Sequence, residues 1–303
     1  MWFWFAVIAL LCWSGSDLFS KIGCQDEKDK YSHLKMVTAV GIVMGLHAAY
    51  EIFIGGVEIN LEVILTYLPV SALYIVSMAV GYLGLRYIEL SISSPICNSS
   101  GAIVAVLTII TVGIGDEVPP VALVAVALVC IGVIGLGFTE ANEDEELRRA
   151  RQDASNRHYA KSWIAIFIPI VYCLLDALGT FADSRVLEII NEDSANVAYE
   201  LTFFIVGLVS LFYVTVVKKQ RLVAKQEAPK YTGAIFETIG QSFYIYALAD
   251  TEHVAFAAPI ISSYCVASVV WGRIFLKEKL SKKHYLCILA VVIGIVIMGI
   301  LDI

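Results

Sequence analysis

Charge is what this sequence has least of. Only 16% of its 303 residues are Asp, Glu, Lys or Arg, against about a quarter in an ordinary soluble domain, and the shortfall excludes a soluble enzyme. Nucleic acid is not an expected partner. The seven cysteines (Cys12, Cys24, Cys97, Cys130, Cys173, Cys265 and Cys287) never form a CxxC pair and fall mostly inside apolar stretches. They read as small packing residues, with no disulfide framework and no zinc site. There is no HExxH, no P-loop, no GxSxG and no Asp-rich diphosphate motif, so nothing calls for a metal, a cofactor or a primary pump. The segment Met1-Trp2-Phe3-Trp4-Phe5 lacks the basic region and cleavage pattern of a signal peptide, and is expected to open a first membrane span.

What is abundant is apolar: 59% of the residues, in blocks of about 20, the length a helix needs to cross ~30 Å of hydrocarbon. The blocks predict spans near 2–20, 34–54, 63–85, 90–112, 119–138, 162–184, 196–217, 230–249, 253–275 and 284–301. Polar residues inside them, such as Ser91, Ser93, Ser94 and Asn98 in the fourth and Glu237 and Gln241 in the eighth, are tolerable where they face other helices or a wet cavity. The bundle is therefore expected to enclose one.

Lys and Arg are distributed unevenly between the two sets of connections. Those after spans 1, 3, 5, 7 and 9 hold twenty of the twenty-one; the other side has only Arg185. Cytoplasmic loops collect Lys and Arg, so both termini are expected outside the cytoplasm of a bacterial plasma membrane.

Sliding the chain against itself by 164 residues aligns Gly15 with Gly179, Lys21 with Arg185, Tyr82 with Tyr246, and Pro95-Ile96 with Pro259-Ile260. A gap of about three residues then brings Glu117 near Glu278, each followed by a further Gly-containing span. Each half has an odd number of spans, so the second enters the membrane from the opposite side, the inverted-repeat architecture of alternating-access carriers. The expected organisation is a first repeat over 1–139, a cytoplasmic linker over 140–161 containing Glu143-Asp144-Glu145-Glu146, and a second, inverted repeat over 162–303. The fold class is an all-α integral membrane protein of ten transmembrane helices in two inverted five-helix repeats.

Trp13 to Lys21 with Gly15 between, the Pro-Ile pairs of spans 4 and 9, and Phe275-Leu276-Lys277-Glu278-Lys279-Leu280 before a Gly-containing last span together resemble the EamA-type branch of the drug/metabolite transporter superfamily. The resemblance covers nearly the whole chain. It implies that spans 1, 3, 4, 6, 8 and 9 line the path of a small-molecule substrate, with span 2 at the periphery.

An ionised side chain at mid-membrane costs at least ~2.5 kcal/mol, so the intramembrane acids need a reason. Tyr172, Asp176, Gly179 and Asp183 recur at helical spacing on span 6, and Gly233, Glu237, Gln241 and Tyr244 on span 8. Asp176 and Glu237 suit a proton relay or a counter-charge for a cationic substrate; helix–helix hydrogen bonding is the alternative for each. On span 1 Trp13, Asp17 and Lys21 are candidates for an inner gate, or Asp17 and Lys21 for an interfacial pair; Asp183 and Arg185 are the outer counterparts. Pro95 and Pro259 are expected to kink their helices, with Asn98 and Ser262 beside them as neutral hydrogen-bonding groups. On span 3 Ser71, Tyr74, Met78 and Tyr82 form a stripe; Tyr74, Tyr82, Tyr172, Tyr244 and Tyr264 are candidates to provide π faces for an ammonium group, with helix packing as the alternative. His47 and Glu51 are expected to pack or to lie at the interface. Gly113-Ile114-Gly115-Asp116 matches the G-x-G-D of intramembrane aspartyl proteases, without their Tyr-Asp partner motif or their Pro-Ala-Leu segment.

The expected function is a secondary transporter of a small polar organic metabolite, cationic or zwitterionic and proton-coupled, and not an enzyme. A neutral-solute facilitator, an intramembrane protease and a structural membrane protein are the alternatives. The expected partners are the lipid bilayer, the substrate and protons, for a monomer or homodimer.

Overall fold

The computed structural model describes residues 1–24, 29–85, 90–111, 113, 119–141, 163–276 and 281–301. Asp116 of the protease-like motif, Glu117, Glu278 with Lys277, Lys279 and Leu280, and all but the first two residues of the expected linker lie outside these. The helices are α1 (Trp2–Cys24), α2 (Ser32–Tyr50), α3 (Leu61–Gly84), α4 (Leu90–Cys97), α5 (Ser100–Thr111), α6 (Pro120–Ala141), α7 (Trp163–Val186), α8 (Glu192–Phe212), α9 (Ala224–Leu248), α10 (Val254–Ser262), α11 (Tyr264–Phe275) and α12 (Lys282–Leu301). Seven segments among the described residues are long and apolar enough to cross a bilayer. Helix α9 is the least apolar of the long helices, with Glu237, Gln241 and Ser242 along it, and it survives among hydrocarbon-length neighbours by packing its length against α1.

Two of the apolar segments are broken within their length. The chain leaves the helix at Asn98 and Ser99 between α4 and α5, and at Ser263 between α10 and α11. In both cases the break follows the proline, Pro95 or Pro259, by three or four residues, so the prolines sit inside regular helix and the interruption falls after them. Each proline withholds one helical N–H, and side chains then take carbonyls at the break. Asn98 Nδ2 donates to Ser94 O at 2.8 Å, Ser99 Oγ to Pro95 O at 3.0 Å and Ser263 Oγ to Ile260 O at 2.5 Å. Irregular backbone at membrane depth requires shelter, and Asn98 and Ser263 are both buried.

Helices α2 and α8 end alike. A π-helical turn closes α2 at Glu51–Gly55 and another closes α8 at Tyr213–Val217. Asparagines restart the chain: the Asn60 side chain accepts from Val63 N–H at the start of α3, and that of Asn191 from Asp193 N–H at the start of α8, satisfying N–H groups that a helix start leaves orphaned.

Packing runs in reciprocal pairs. Helix α1 lies on α9 and α3 on α7; α2 lies on α8 and α6 on α12; α5 crosses α10 and α11 crosses α4. The α2–α8 crossing is glycine on glycine. A Cβ on Gly41 would stand 2.7 Å from Phe203 O and 2.8 Å from Gly207 Cα, so only a residue without one permits the approach. Large apolar side chains on the outer surface, Phe53, Ile54, Ile110 and Phe138 among them, make a belt that water would not tolerate and lipid does.

One end of the bundle gathers the described Lys and Arg, all except Arg185, because α1, α3, α6, α8 and α11 finish there and their successors begin there. At this basic end Lys35 pairs with Asp29 at 2.8 Å and Glu227 at 3.4 Å, and Lys230 pairs with Glu227 at 2.9 Å. All four side chains are largely buried, so each charge is held by opposite charges rather than by water.

Candidate functional site

The polar faces of α1, α3, α4, α7 and α9 turn toward one another and enclose a cavity of about 920 Å³, counting the part open to solvent, which α8 and the α10–α11 break complete. Along α1 it is lined by Trp13, Ser16, Asp17 and Ser20, and along α3 by Tyr74, Met78, Gly81 and Tyr82. These are the halves of α1 and α3 nearer the basic end. From α7 come Tyr172, Asp176 and Thr180, from α9 Glu237, Gln241 and Tyr244, and from the two breaks Asn98, Ser262 and Tyr264. Spacings of three and four residues on α7 and α9 are what put these groups on one face each. The residues expected from sequence to bind substrate or protons thus line a single space.

Three carboxyl groups face it. Asp17 Oδ2 accepts from Ser94 Oγ of α4 at 2.6 Å and from Ser268 Oγ of α11 at 2.8 Å, so it joins both broken helices to α1. Asp176 Oδ2 accepts from Ser100 Oγ, the first residue of α5, at 2.7 Å. Glu237 lies beside Ser16. Among the described residues that line it there is no Lys, Arg or His. Lys21 Nζ, at the basic end, donates to Leu85 O at 2.8 Å.

Aromatic rings make the walls. The Trp13 indole lies 4.9 Å from the Tyr244 ring and 5.8 Å from that of Tyr264, and Tyr74 meets Tyr199 edge-on at 5.9 Å. Gly179 and Gly81 leave room for Tyr74 and Tyr172 to lie flat against the opposite helix. Several donors in this wall have no hydrogen-bond partner: Trp13 Nε1, Gln241 Nε2, Tyr82 Oη and Ser20 Oγ.

Away from the basic end the cavity closes on a hydroxyl knot. Asp183, fully buried, accepts from Tyr67 Oη at 2.7 Å and from Tyr74 Oη at 3.3 Å. Tyr74 and Tyr244 touch through their hydroxyls, and both lie within hydrogen-bond distance of Thr180 Oγ1, at 3.2 and 3.1 Å. Arg185 does not join this knot. It turns outward to Glu188 at 2.8 Å and lies over the Phe181 ring.

Outside the cavity, His47 Nδ1 bonds the buried Glu200 carboxylate at 2.9 Å while its Nε2 approaches Glu51 at 3.6 Å. Glu200, Thr180, Tyr67, Tyr199, Ser268 on Asp17 and Ser100 on Asp176 were not singled out by sequence, whereas Ser94 was expected to face other helices or a cavity and does so. Glu200 alone carried a signal, as an acid within an apolar run. Among the described residues no group of His, Cys, Asp and Glu is arranged to hold a metal ion.

Residues 163–300 match the model of the EamA-like transporter family. A solved crystal structure, titled only as that of a protein, is similar over 99% of this chain and 96% of its own length, with a TM-score of 0.65 and 12% identity. That likeness is one of fold. Among curated proteins none matches.

Proposed function

We propose, because residues 163–300 match the model of the EamA-like transporter family, part of the drug/metabolite transporter superfamily, that this membrane protein is a secondary transporter that moves a small polar organic solute by alternating access. In this reading ten spans form two inverted repeats, over 1–139 and 162–303, and α4–α5 and α10–α11 are the broken fourth and ninth spans. The reciprocal packing pairs, the two breaks and the two π turns support the repeat. The basic end is the cytoplasmic one, and both termini lie outside.

One observation carries the reading: a cavity lined by Asp17, Asp176 and Glu237 and, among the described residues, by no basic side chain, with the Asp183 knot at one end. A cavity with one closed end and one wet end is half of an alternating-access cycle. Asp176 and Glu237 then bind a proton in one half of the cycle and the solute's positive charge in the other, because each carboxylate needs compensation in a site of low dielectric.

The test is reconstitution into liposomes with an imposed pH gradient and a panel of labelled amines and amino acids. The expected outcome is accumulation driven by the gradient and lost in Glu237→Gln and Asp176→Asn, both still folded in detergent. Wild-type rates and unchanged pH dependence in both variants would remove proton coupling and leave a neutral-solute facilitator.

A further inference from the structure

The cavity holds two sets of groups that ask for opposite things of a ligand. The carboxyls of Asp17, Asp176 and Glu237 ask for positive charge. The Trp13 indole N–H and the Gln241 carboxamide NH₂ only donate, and both lack a partner although they are buried, Gln241 with 3% of its surface exposed. Tyr82, 7% exposed, and Ser20, 1% exposed, add two hydroxyls in the same condition. A buried donor left unmet is costly, so the wall calls for an acceptor.

The two demands are interleaved rather than placed at opposite ends. Gln241 is one turn from Glu237 on α9, and Trp13 one turn from Asp17 on α1. An acceptor that meets Trp13 and Gln241 therefore sits within reach of the acids, with no Lys, Arg or His among the described lining residues to offset a negative charge on it. A carboxylate there is repelled; an amide, ester or ring carbonyl is not. The rings of Trp13, Tyr244, Tyr264 and Tyr172 supply π faces for the cationic group and apolar area for the remainder.

From this, and resting on the carrier reading above, we propose that the site takes an organic monocation whose second recognition group is an uncharged hydrogen-bond acceptor, and that it rejects zwitterions such as free amino acids. The selection lies in the acids, which reject a carboxylate, and in the Trp13 and Gln241 donors, which reward a neutral carbonyl.

Four probes sharing one ring separate these contributions: phenylalaninamide (cation with a neutral carbonyl), phenylalanine (zwitterion), N-acetylphenylalaninamide (neutral) and phenethylamine (cation without a carbonyl). Calorimetric titration of the purified full chain in detergent at pH 6, where α-amino groups are protonated, is expected to show phenylalaninamide binding at least tenfold more tightly than phenylalanine or the neutral amide. Gln241→Leu is expected to weaken phenylalaninamide about tenfold, the worth of one buried hydrogen bond, while leaving phenethylamine within twofold, which also reports that the variant is folded; Trp13→Phe, which removes the N–H and trades one π face for a weaker one, is expected to weaken phenylalaninamide more than phenethylamine. Phenylalanine binding as tightly as its amide overturns the proposal, as does equal binding of the neutral probe. Equal weakening of phenethylamine in the variants reduces Trp13 and Gln241 to packing groups and overturns it too. Absence of binding by all four at millimolar concentration does the same. The carrier reading is judged separately, by whether any solute of the liposome panel moves.

Discussion

The hydroxyls of Tyr74 and Tyr244 meet across the closed end of the cavity, one from α3 and one from α9, directly over Thr180 of α7. Three helices are thus joined by side-chain oxygens where an apolar plug might have stood. A seal of that kind separates without exposing hydrocarbon, since each phenol can exchange its protein partner for water. Closure by hydrogen bonds suits a gate that has to open repeatedly.

Tyr67 is the simplest place to test the knot, because its hydroxyl makes one bond, to Asp183 at 2.7 Å, in a fully buried position. Tyr67→Phe removes the donor and keeps the ring. The expected loss is about 1 to 3 kcal/mol, read as a lower unfolding temperature in detergent. An unchanged unfolding temperature would mean that the Asp183 knot contributes nothing to closure.

The α2–α8 crossing gives a steric prediction. At Gly41 the atoms that a new Cβ would meet are backbone, Phe203 O and Gly207 Cα, and backbone cannot turn aside. Gly41→Leu is expected to cost at least about 1 to 3 kcal/mol, the usual penalty of overpacking. Gly56 is the contrast: nothing stands within 4 Å, but φ is +76°, so Gly56→Ala is expected to cost only about 1 kcal/mol of backbone strain. Thermal unfolding of the two variants in parallel checks the order, and a larger loss at Gly56 would contradict it.

What the sequence made legible follows from the solvent. In a bilayer a carboxyl or amide inside an apolar run is conspicuous because it is expensive, and Asp17, Asp176, Glu237, Gln241 and Asn98 could be picked out on that ground before any geometry was known. Hydroxyl side chains are cheap in a helix, where Ser and Thr can bond the carbonyl one turn back. Ser100, Ser268 and Thr180 therefore gave no sign that they reach across to other helices. The prolines of the fourth and ninth spans announced an irregularity but not its position, which falls three or four residues further on, where the side chains of Asn98, Ser99 and Ser263 bond carbonyls of the preceding turn. Glu200 carried the same signal and was passed over; what the sequence does not hold is its partner, 153 positions away, since no local spacing encodes a contact between helices.

That contact supports a double-mutant prediction. His47 is about a third exposed, whereas the Glu200 side chain is 0% exposed. His47→Leu leaves the Glu200 carboxyl with Asn196 at 3.4 Å as its remaining bond in the same helix. The expected loss is on the order of 2 kcal/mol, below the ~3 to 5 kcal/mol of a wholly buried pair because His47 is partly exposed. Adding Glu200→Leu removes the stranded group and is expected to restore part of the stability. Additive losses in the double variant would show that the two side chains do not act as a pair.

Orientation is testable apart from transport. Glu58 and Gln220 are both exposed, the first in the connection between α2 and α3 and the second between α8 and α9, at opposite ends of the bundle. With the basic end in the cytoplasm, as Lys and Arg in short loops dictate, Glu58→Cys faces outward and Gln220→Cys inward. In a background lacking the seven native cysteines, an impermeant thiol reagent on intact cells is expected to label position 58 and spare position 220 until the membrane is permeabilised. The two sites act as controls for each other, since both lie on loops that the reagent can reach once it is on the correct side. Labelling of 220 but not 58 on intact cells would reverse the assignment. The Asp183 knot would then close the cytoplasmic end, and the cavity would open to the outside.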